Sequence, residues 1–109
     1  MKFKCSVCGN VLDNEAPEVC PRCGAKKEMY KALSDDAAKL IDKARYTNNL
    51  HMELESRLTA VALVAENGIK DNLDPTCVKI FNYAKEQATI IRQMIKAEIV
   101  VHIEKGKWG

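Results

Sequence analysis

Two long stretches of the chain repeat apolar residues at intervals of three and four, which is the spacing of one face of an α-helix. The first stretch follows Ser34, and its apolar positions include Leu40, Ala44, Leu54, Leu58, Val61 and Ala65. The second follows Asp74 and includes Ile80, Ala84, Ala88, Ile91, Ile95 and Ile99. The pattern predicts two helices of about thirty residues, each about 45 Å long at 1.5 Å per residue.

Capping residues set the limits of the first helix. Ser34 is a suitable N-cap, and Asp35 and Asp36 put negative charge at the positive end of the helix dipole. Asn67-Gly68 predicts its end.

The second helix has similar signals. Asp74 is the expected cap and Pro75 the first helical residue, and the helix is expected to run to about Glu104 and stop before Gly106. The short link from Gly68 to Asp74 predicts an antiparallel hairpin.

The C-terminal half of each helix is apolar on more than one face, at Leu63, Val64, Ile90, Met94, Val100 and Val101. A lone hairpin would expose this surface, so we expect a symmetric homodimer in which two hairpins form a four-helix bundle. Its core is expected to include Leu54, Leu58, Ile91 and Ile95. The alternative is a monomer whose hairpin packs against the N-terminal lobe, but residues 1–33 are too few to cover helices of this length.

The N-terminal residues have a different character. Cys5-Ser6-Val7-Cys8-Gly9 and Cys20-Pro21-Arg22-Cys23-Gly24 are two CxxC knuckles separated by a short segment. This is the spacing of a tetrahedral site with four sulfur ligands. Glycine after the second cysteine of each pair permits a left-handed backbone, so that amides point at sulfur. Cys5, Cys8, Cys20 and Cys23 are therefore the predicted metal ligands.

The segment between the knuckles predicts a short strand, a turn at Asp13-Asn14 and a return of the chain. Phe3, Val11 and Tyr30 are expected to form a small core beside the site. So small a lobe buries little apolar surface, and we expect the metal to supply much of its stability. The domains predicted are a metal domain over 1–33 and a helical hairpin over 34–109.

Composition restricts the function classes. The 109 residues carry a net charge of +2 with mixed signs and no basic stripe, so no nucleic-acid partner is expected. No secretory signal or membrane-length apolar run is visible, which favours a cytoplasmic protein with no membrane association. Pairing of the four cysteines in two disulfides is the alternative to a metal site, but it needs an oxidising compartment.

The cysteine segment resembles a known family. Lys2-Phe3-Lys4-Cys5-Ser6-Val7-Cys8-Gly9, and the run from Glu15-Ala16-Pro17-Glu18-Val19-Cys20-Pro21-Arg22-Cys23-Gly24-Ala25 to Tyr30, are similar to the rubredoxin-like domain of rubrerythrins. The resemblance implies one iron on the four cysteines, cycling between ferric and ferrous states. Asn10 departs from the family, which usually has an aromatic residue there.

The predicted metal domain precedes the predicted helices, and in this it resembles the domain order of reverse rubrerythrins. The resemblance does not extend to the peroxide-reducing di-iron centre. Only two helices are predicted, no Glu-x-x-His occurs, and Lys39 stands where a ligand glutamate is expected seven residues before Tyr46. We therefore expect an electron carrier without a peroxidase centre of its own.

Histidine offers one further candidate site. His51 with Glu55, and Glu98 with His102, are pairs four residues apart on their helices. His51 is expected near the level of residues 87–91 and His102 near 40–44, so the pairs should lie far apart in one chain. A dimer could bring copies together as a second metal site. The simpler interpretation is a hydrogen-bonded or solvated pair on each helix.

Cys77 is the fifth cysteine, in the first turn of the second helix. The helix dipole could lower its pKa and make it reactive, or it could be a small half-buried apolar residue.

Two functions fit these observations. The first is one-electron transfer to or from a redox partner protein by an iron on four cysteines. The second is a zinc ribbon that holds shape for binding and has no redox chemistry. The spacing of the ligands does not separate iron from zinc.

Overall fold

The computed structural model describes all 109 residues, which form a small β lobe followed by two long helices. The elements are β1 (Lys2–Cys5), β2 (Val11–Asp13), β3 (Tyr30–Ala32), α1 (Asp35–Asp71) and α2 (Pro75–Glu104), with a 3-10 turn at Lys27–Met29. The predicted fold class, a four-cysteine β-hairpin domain ahead of an α-helical hairpin, is confirmed. Pairing of two hairpins in a four-helix bundle stays a prediction.

The strands form one antiparallel sheet in the order β2-β1-β3. The predicted turn is present, and Asn14 there has a φ of 77°. The return that follows the turn forms no strand, and its one β contact is an isolated bridge between Val19 and Lys26. The third strand instead comes from beyond the second knuckle, where Tyr30 pairs with Cys5.

The core of the β lobe is built around the cysteines. Cys5, Cys20 and Tyr30 are buried, with Phe3, Cys8, Leu12, Ala16 and Ala25 packed against them. Phe3 and Tyr30 are therefore core residues as predicted. Leu12 takes the place expected for Val11.

The helix starts agree with the sequence analysis. The Ala37 amide donates to Ser34 Oγ, and the Cys77 amide donates to Asp74 Oδ1. Helix α2 ends at Glu104, just before Gly106 with a φ of 70°.

The predicted end of the first helix is wrong. Helix α1 continues through Gly68 to Asp71 and is 37 residues long. A Cβ at Gly68 would overlap the ring of Phe81. This glycine is therefore a site of close packing between the helices, and the link is only residues 72–74.

The chain divides into two compact units, Met1–Tyr46 with Glu104–Gly109, and Thr47–Ile103. In the first, the buried Lys2 lies 2.6 Å from Asp13 and 2.8 Å from Asp42. Arg45 makes two further bonds to Asp13, and its Nε donates to the Gly109 carbonyl. These contacts tie the sheet to the start of α1. The domain boundary after residue 33 stays a prediction.

In the second unit the two helices run antiparallel, since Asn48 meets His102, Glu55 meets Arg92 and Gly68 meets Phe81. Neither long helix contains an apolar stretch sufficient for a membrane span.

Candidate metal centre

The two knuckles have the same backbone hydrogen bonds. The Cys5 amide donates to the Asn10 carbonyl, and the Cys20 amide donates to the Ala25 carbonyl, both at 2.8 Å. The amide of the glycine after each pair donates back to the carbonyl of the first cysteine. Gly9 and Gly24 have φ values of 80° and 79°, a conformation that side-chain-bearing residues rarely adopt.

These loops bring four sulfurs together at one point. The Sγ atoms of Cys5, Cys8, Cys20 and Cys23 all lie within 4.8 Å of one another. Two of the separations, Cys5 to Cys23 and Cys8 to Cys20, are 3.7 Å. A regular tetrahedron with metal–sulfur bonds of about 2.3 Å has edges of about 3.8 Å. The four thiols therefore fit a four-coordinate metal, and binding of the metal by these four residues stays a prediction.

The two knuckles bury their sulfurs unevenly. Cys5 and Cys20, the first cysteine of each pair, are 1% and 2% exposed. Cys8 is half-buried and Cys23 is exposed. The site is thus closed on the side of the sheet and open at the second cysteine of each pair.

Amide donors stabilise negative charge on the buried sulfurs. The Cys8 amide is the main reason that the pKa of Cys5 is lowered, with a further contribution from Val7, and together they exceed the opposing effect of burial. Burial also raises the pKa of Cys20, but hydrogen bonds from Tyr30 and from the amides of Cys23 and Arg22 lower it to about 6.

Cys23 behaves differently. The Ala25 amide lowers its pKa, but burial and the neighbouring cysteines together raise it to about 12. Four sulfurs this close do not all ionise without a cation among them, so metal loading must release protons.

Two consecutive side-chain hydrogen bonds also reach the sulfur cluster. Asn10 Nδ2 donates to the Tyr30 hydroxyl, which donates to Cys20 Sγ, and both distances are 3.1 Å. From the sequence, no role was predicted for Asn10, and Tyr30 was predicted only as a core residue. No local signal connects these residues, because Tyr30 reaches the cluster only through the pairing of β3 with β1.

A comparison with known protein families identifies this same segment. Residues 3–31 match the family model of the rubrerythrin rubredoxin-like domain. The resemblance predicted from the knuckles is thereby confirmed for this part of the chain. Over 36 residues the chain is 50% identical to reverse rubrerythrin-1 of Clostridium acetobutylicum, covering 32% of this chain and 20% of that protein. The match thus spans about a fifth of the relative's length. No solved structure matches the chain significantly.

The expected separation of the two histidines is wrong. The ring centroids of His51 and His102 lie 6.2 Å apart in an edge-on arrangement. Helical side chains lean towards the N-terminus of their own helix. The expected levels are wrong because α1 continues to Asp71 and the link is only residues 72–74, so that Asn48 lies against His102. The lean of both side chains then moves the two rings towards each other.

This histidine pair is not a second cluster of metal ligands within one chain. His102 Nδ1 lies 2.5 Å from Asn48 Oδ1, and Nε2 lies 3.0 Å from Glu98. Glu55 bonds Arg92 at 2.8 Å. Both His102 nitrogens therefore face protein oxygens, and the four cysteines form the one group of three or more close metal-ligating side chains in the chain.

Of the two interpretations of Cys77, a reactive thiol or a small half-buried apolar residue, the structure favours the second. It is half-buried, and a hydrogen bond to Asp74, together with burial, raises its pKa. The acidic cap opposes the helix dipole, so this thiol lacks the low pKa of reactive cysteines.

Proposed function

We propose that the protein carries single electrons on one iron held by Cys5, Cys8, Cys20 and Cys23. When bound there, iron supplies one-electron chemistry between its ferric and ferrous states. The proposal is supported by the family match of residues 3–31 and by the spacing of the four sulfurs.

The observation that carries the proposal is the set of donors fixed around sulfur. Five backbone amides lower the pKa values of the cysteines: those of Val7 and Cys8 act on Cys5, those of Arg22 and Cys23 on Cys20, and that of Ala25 on Cys23. The Tyr30 hydroxyl is a sixth donor. Because the tight loops hold these groups, they stabilise an additional negative charge without rearrangement. A small rearrangement on reduction is what an electron carrier requires.

The electron is expected to enter and leave at the open side of the site. Cys23 is exposed there, and Val7 and Val19, beside the knuckle cysteines, are 59% and 57% exposed. Small apolar groups around an open sulfur edge suit brief docking of a redox partner protein. We place the protein in the cytoplasm, where thiols remain reduced and available to metal.

The test is metal content with a redox titration on protein made in iron-supplemented cells. We expect one iron per chain, a red oxidised form and reversible bleaching by one electron per chain. One zinc per chain, with no visible band under the same conditions, would overturn the proposal and favour the zinc ribbon. Three irons per chain would contradict the single-site assignment.

A further inference from the structure

The hairpin of the second unit buries one side of each helix in a seam with a seven-residue repeat. The seam holds the buried and half-buried residues Asn48, His51, Glu55, Leu58, Ala62, Ala65 and Ile69 of α1, and Phe81, Ala84, Ala88, Ile91, Ile95 and His102 of α2. These correspond to positions a and d of a heptad in both helices. Leu58, Ile91 and Ile95, expected in a dimer core, therefore already pack within one chain.

A second apolar stripe runs along each helix outside this seam. We call the two together the open face: Leu50, Leu54, Val61 and Val64 of α1, and Ile80, Tyr83, Ile90 and Met94 of α2. All eight are between 44% and 66% exposed. Their spacing is 4, 7 and 3 on α1 and 3, 7 and 4 on α2, so all occupy heptad positions c and g.

The two stripes belong to one surface of the hairpin. In an antiparallel helix pair the g positions of both helices flank the same side of the seam. Each stripe also lines a surface groove. One is bounded by Leu50, Leu54 and Arg57, and the other by Val78, Ile80 and Tyr83.

The open face is larger than a monomer ordinarily exposes. At these exposures the eight side chains leave on the order of 800 Å² of apolar surface, against roughly 300–600 Å² for the largest patch of a typical monomer. A stable interface of standard size buries about 800 Å² on each partner. The available area therefore matches what a specific dimer needs.

The charges around the face favour a copy of the same chain as occupant. Arg57 is the charged residue within the stripes, and it bonds Glu53 at 2.8 Å. The residues that border the open face on the side away from the seam include Glu53 on α1, and Lys79 and Glu86 on α2. With so little net charge, two copies of the face do not repel each other, and no acidic or basic ligand is selected. On both helices the exposed apolar residues occupy heptad positions c and g. A two-fold axis can therefore place the open face of one copy against the open face of another.

We propose that the open face is the homodimer interface, on which two hairpins pack to form a four-helix bundle. The proposal is independent of the metal assignment. It also explains why two helices with a filled seam still carry a complete second apolar side.

The experiment compares two leucines on the same helix. Leu54 lies on the open face and Leu63 lies off it, with exposures of 44% and 60%. Holoprotein is studied by sedimentation over a wide concentration range. We expect wild type and Leu63→Asp at twice the chain mass of 12.2 kDa. Leu54→Asp is expected to weaken the dimer by roughly a hundredfold or more, because each copy brings a charge into the apolar interface.

Helical circular dichroism and the visible band of the metal centre show whether each variant is folded. Tyr83→Glu, on the opposite stripe, provides the same test if Leu54→Asp does not fold. Monomeric wild type at every concentration would overturn the proposal. So would folded Leu54→Asp and Tyr83→Glu proteins that remain dimers as tight as the wild type.

Discussion

The Tyr30 hydroxyl donates a hydrogen bond to Cys20 Sγ, and the Asn10 amide holds that hydroxyl in place from the other side. Tyr30 and Cys20 are both buried, so water does not replace this bond when it is lost. A donor to a ligand sulfur stabilises the more negative, reduced state of a thiolate metal centre.

We predict that Tyr30→Phe lowers the reduction potential of the iron form by some tens of mV, where about 59 mV is a tenfold change in a one-electron equilibrium. Asn10→Ala should lower it less, because the hydroxyl remains but is less well oriented. Tyr46→Phe is the control, since Tyr46 is 74% exposed. An unchanged potential in Tyr30→Phe, measured by spectroelectrochemistry, would rule out this role.

A second prediction separates the site cysteines from the fifth thiol. Cys8→Ala should remove the visible band and raise amide exchange throughout the β lobe, because a structural metal site contributes folding free energy. Cys77→Ala should retain the band and full metal content. If chelation of the wild-type metal leaves amide exchange in the lobe unchanged, the metal does not stabilise it.

The third prediction concerns acid stability. Arg45, and then Lys2, lower the pKa of Asp13 from 3.8 to about 2. A carboxyl with a depressed folded-state pKa stabilises the fold above its unfolded pKa, and this contribution disappears as the pH falls from about 4 to about 2. Asp13→Asn should therefore lower the melting temperature at neutral pH, and the difference from wild type should shrink through that window.

The melting temperatures of Asp13→Asn and of wild type are compared at each pH. Both proteins lose metal in acid, so the fall in melting temperature that this causes cancels in the difference. Glu18→Gln is the matched control, because Glu18 pairs with Lys27 at an exposed position. Exposed pairs contribute little, so its melting temperature should stay near that of the wild type. A constant difference between Asp13→Asn and wild type from about pH 7 to about pH 2 would contradict the assignment.

The fourth prediction tests the close packing at Gly68. Alanine there gains about 1 kcal/mol of helix propensity, but its Cβ would overlap the Phe81 ring. We expect Gly68→Ala to destabilise the hairpin by roughly 1–3 kcal/mol, as overpacking does. The neighbouring exposed Asn67→Ala should be stabilising by a few tenths of a kcal/mol.

Urea denaturation measures both changes in free energy. Introducing Phe81→Leu should remove most of the cost of Gly68→Ala, since the obstructing ring is gone. If Gly68→Ala is as stable as Asn67→Ala, the packing account is wrong.

Local chemistry made much of this structure predictable from sequence. Ser34 and Asp74 cap the helices because a side-chain oxygen next to a helical run accepts a free amide wherever it occurs. The CxxC-Gly knuckles likewise depend on a few adjacent residues, so the convergence of four thiols follows from the sequence alone.

The features that were missed depend on residues distant in the chain. Gly68 resembles a helix end until the ring of Phe81 is known to lie against it. The approach of His51 to His102 depends on the length of the link and on the lean of both side chains. The Tyr30 bond to Cys20 required β3 to be placed beside β1, and a strand of three residues leaves little sign in the local pattern.

The contact between Asn48 and His102 also restricts how the two helices align. Both residues are buried in the seam, and the next seam residue on α2 is Ile95, seven positions earlier. A slip of one heptad would place the Asn48 amide beside that apolar side chain and break the bond between Asn48 Oδ1 and His102 Nδ1, so that two buried polar atoms lose this partner. Each such group costs roughly 1–3 kcal/mol. The apolar layers of the seam tolerate sliding, and this polar pair therefore selects one alignment of the helices among several of similar packing.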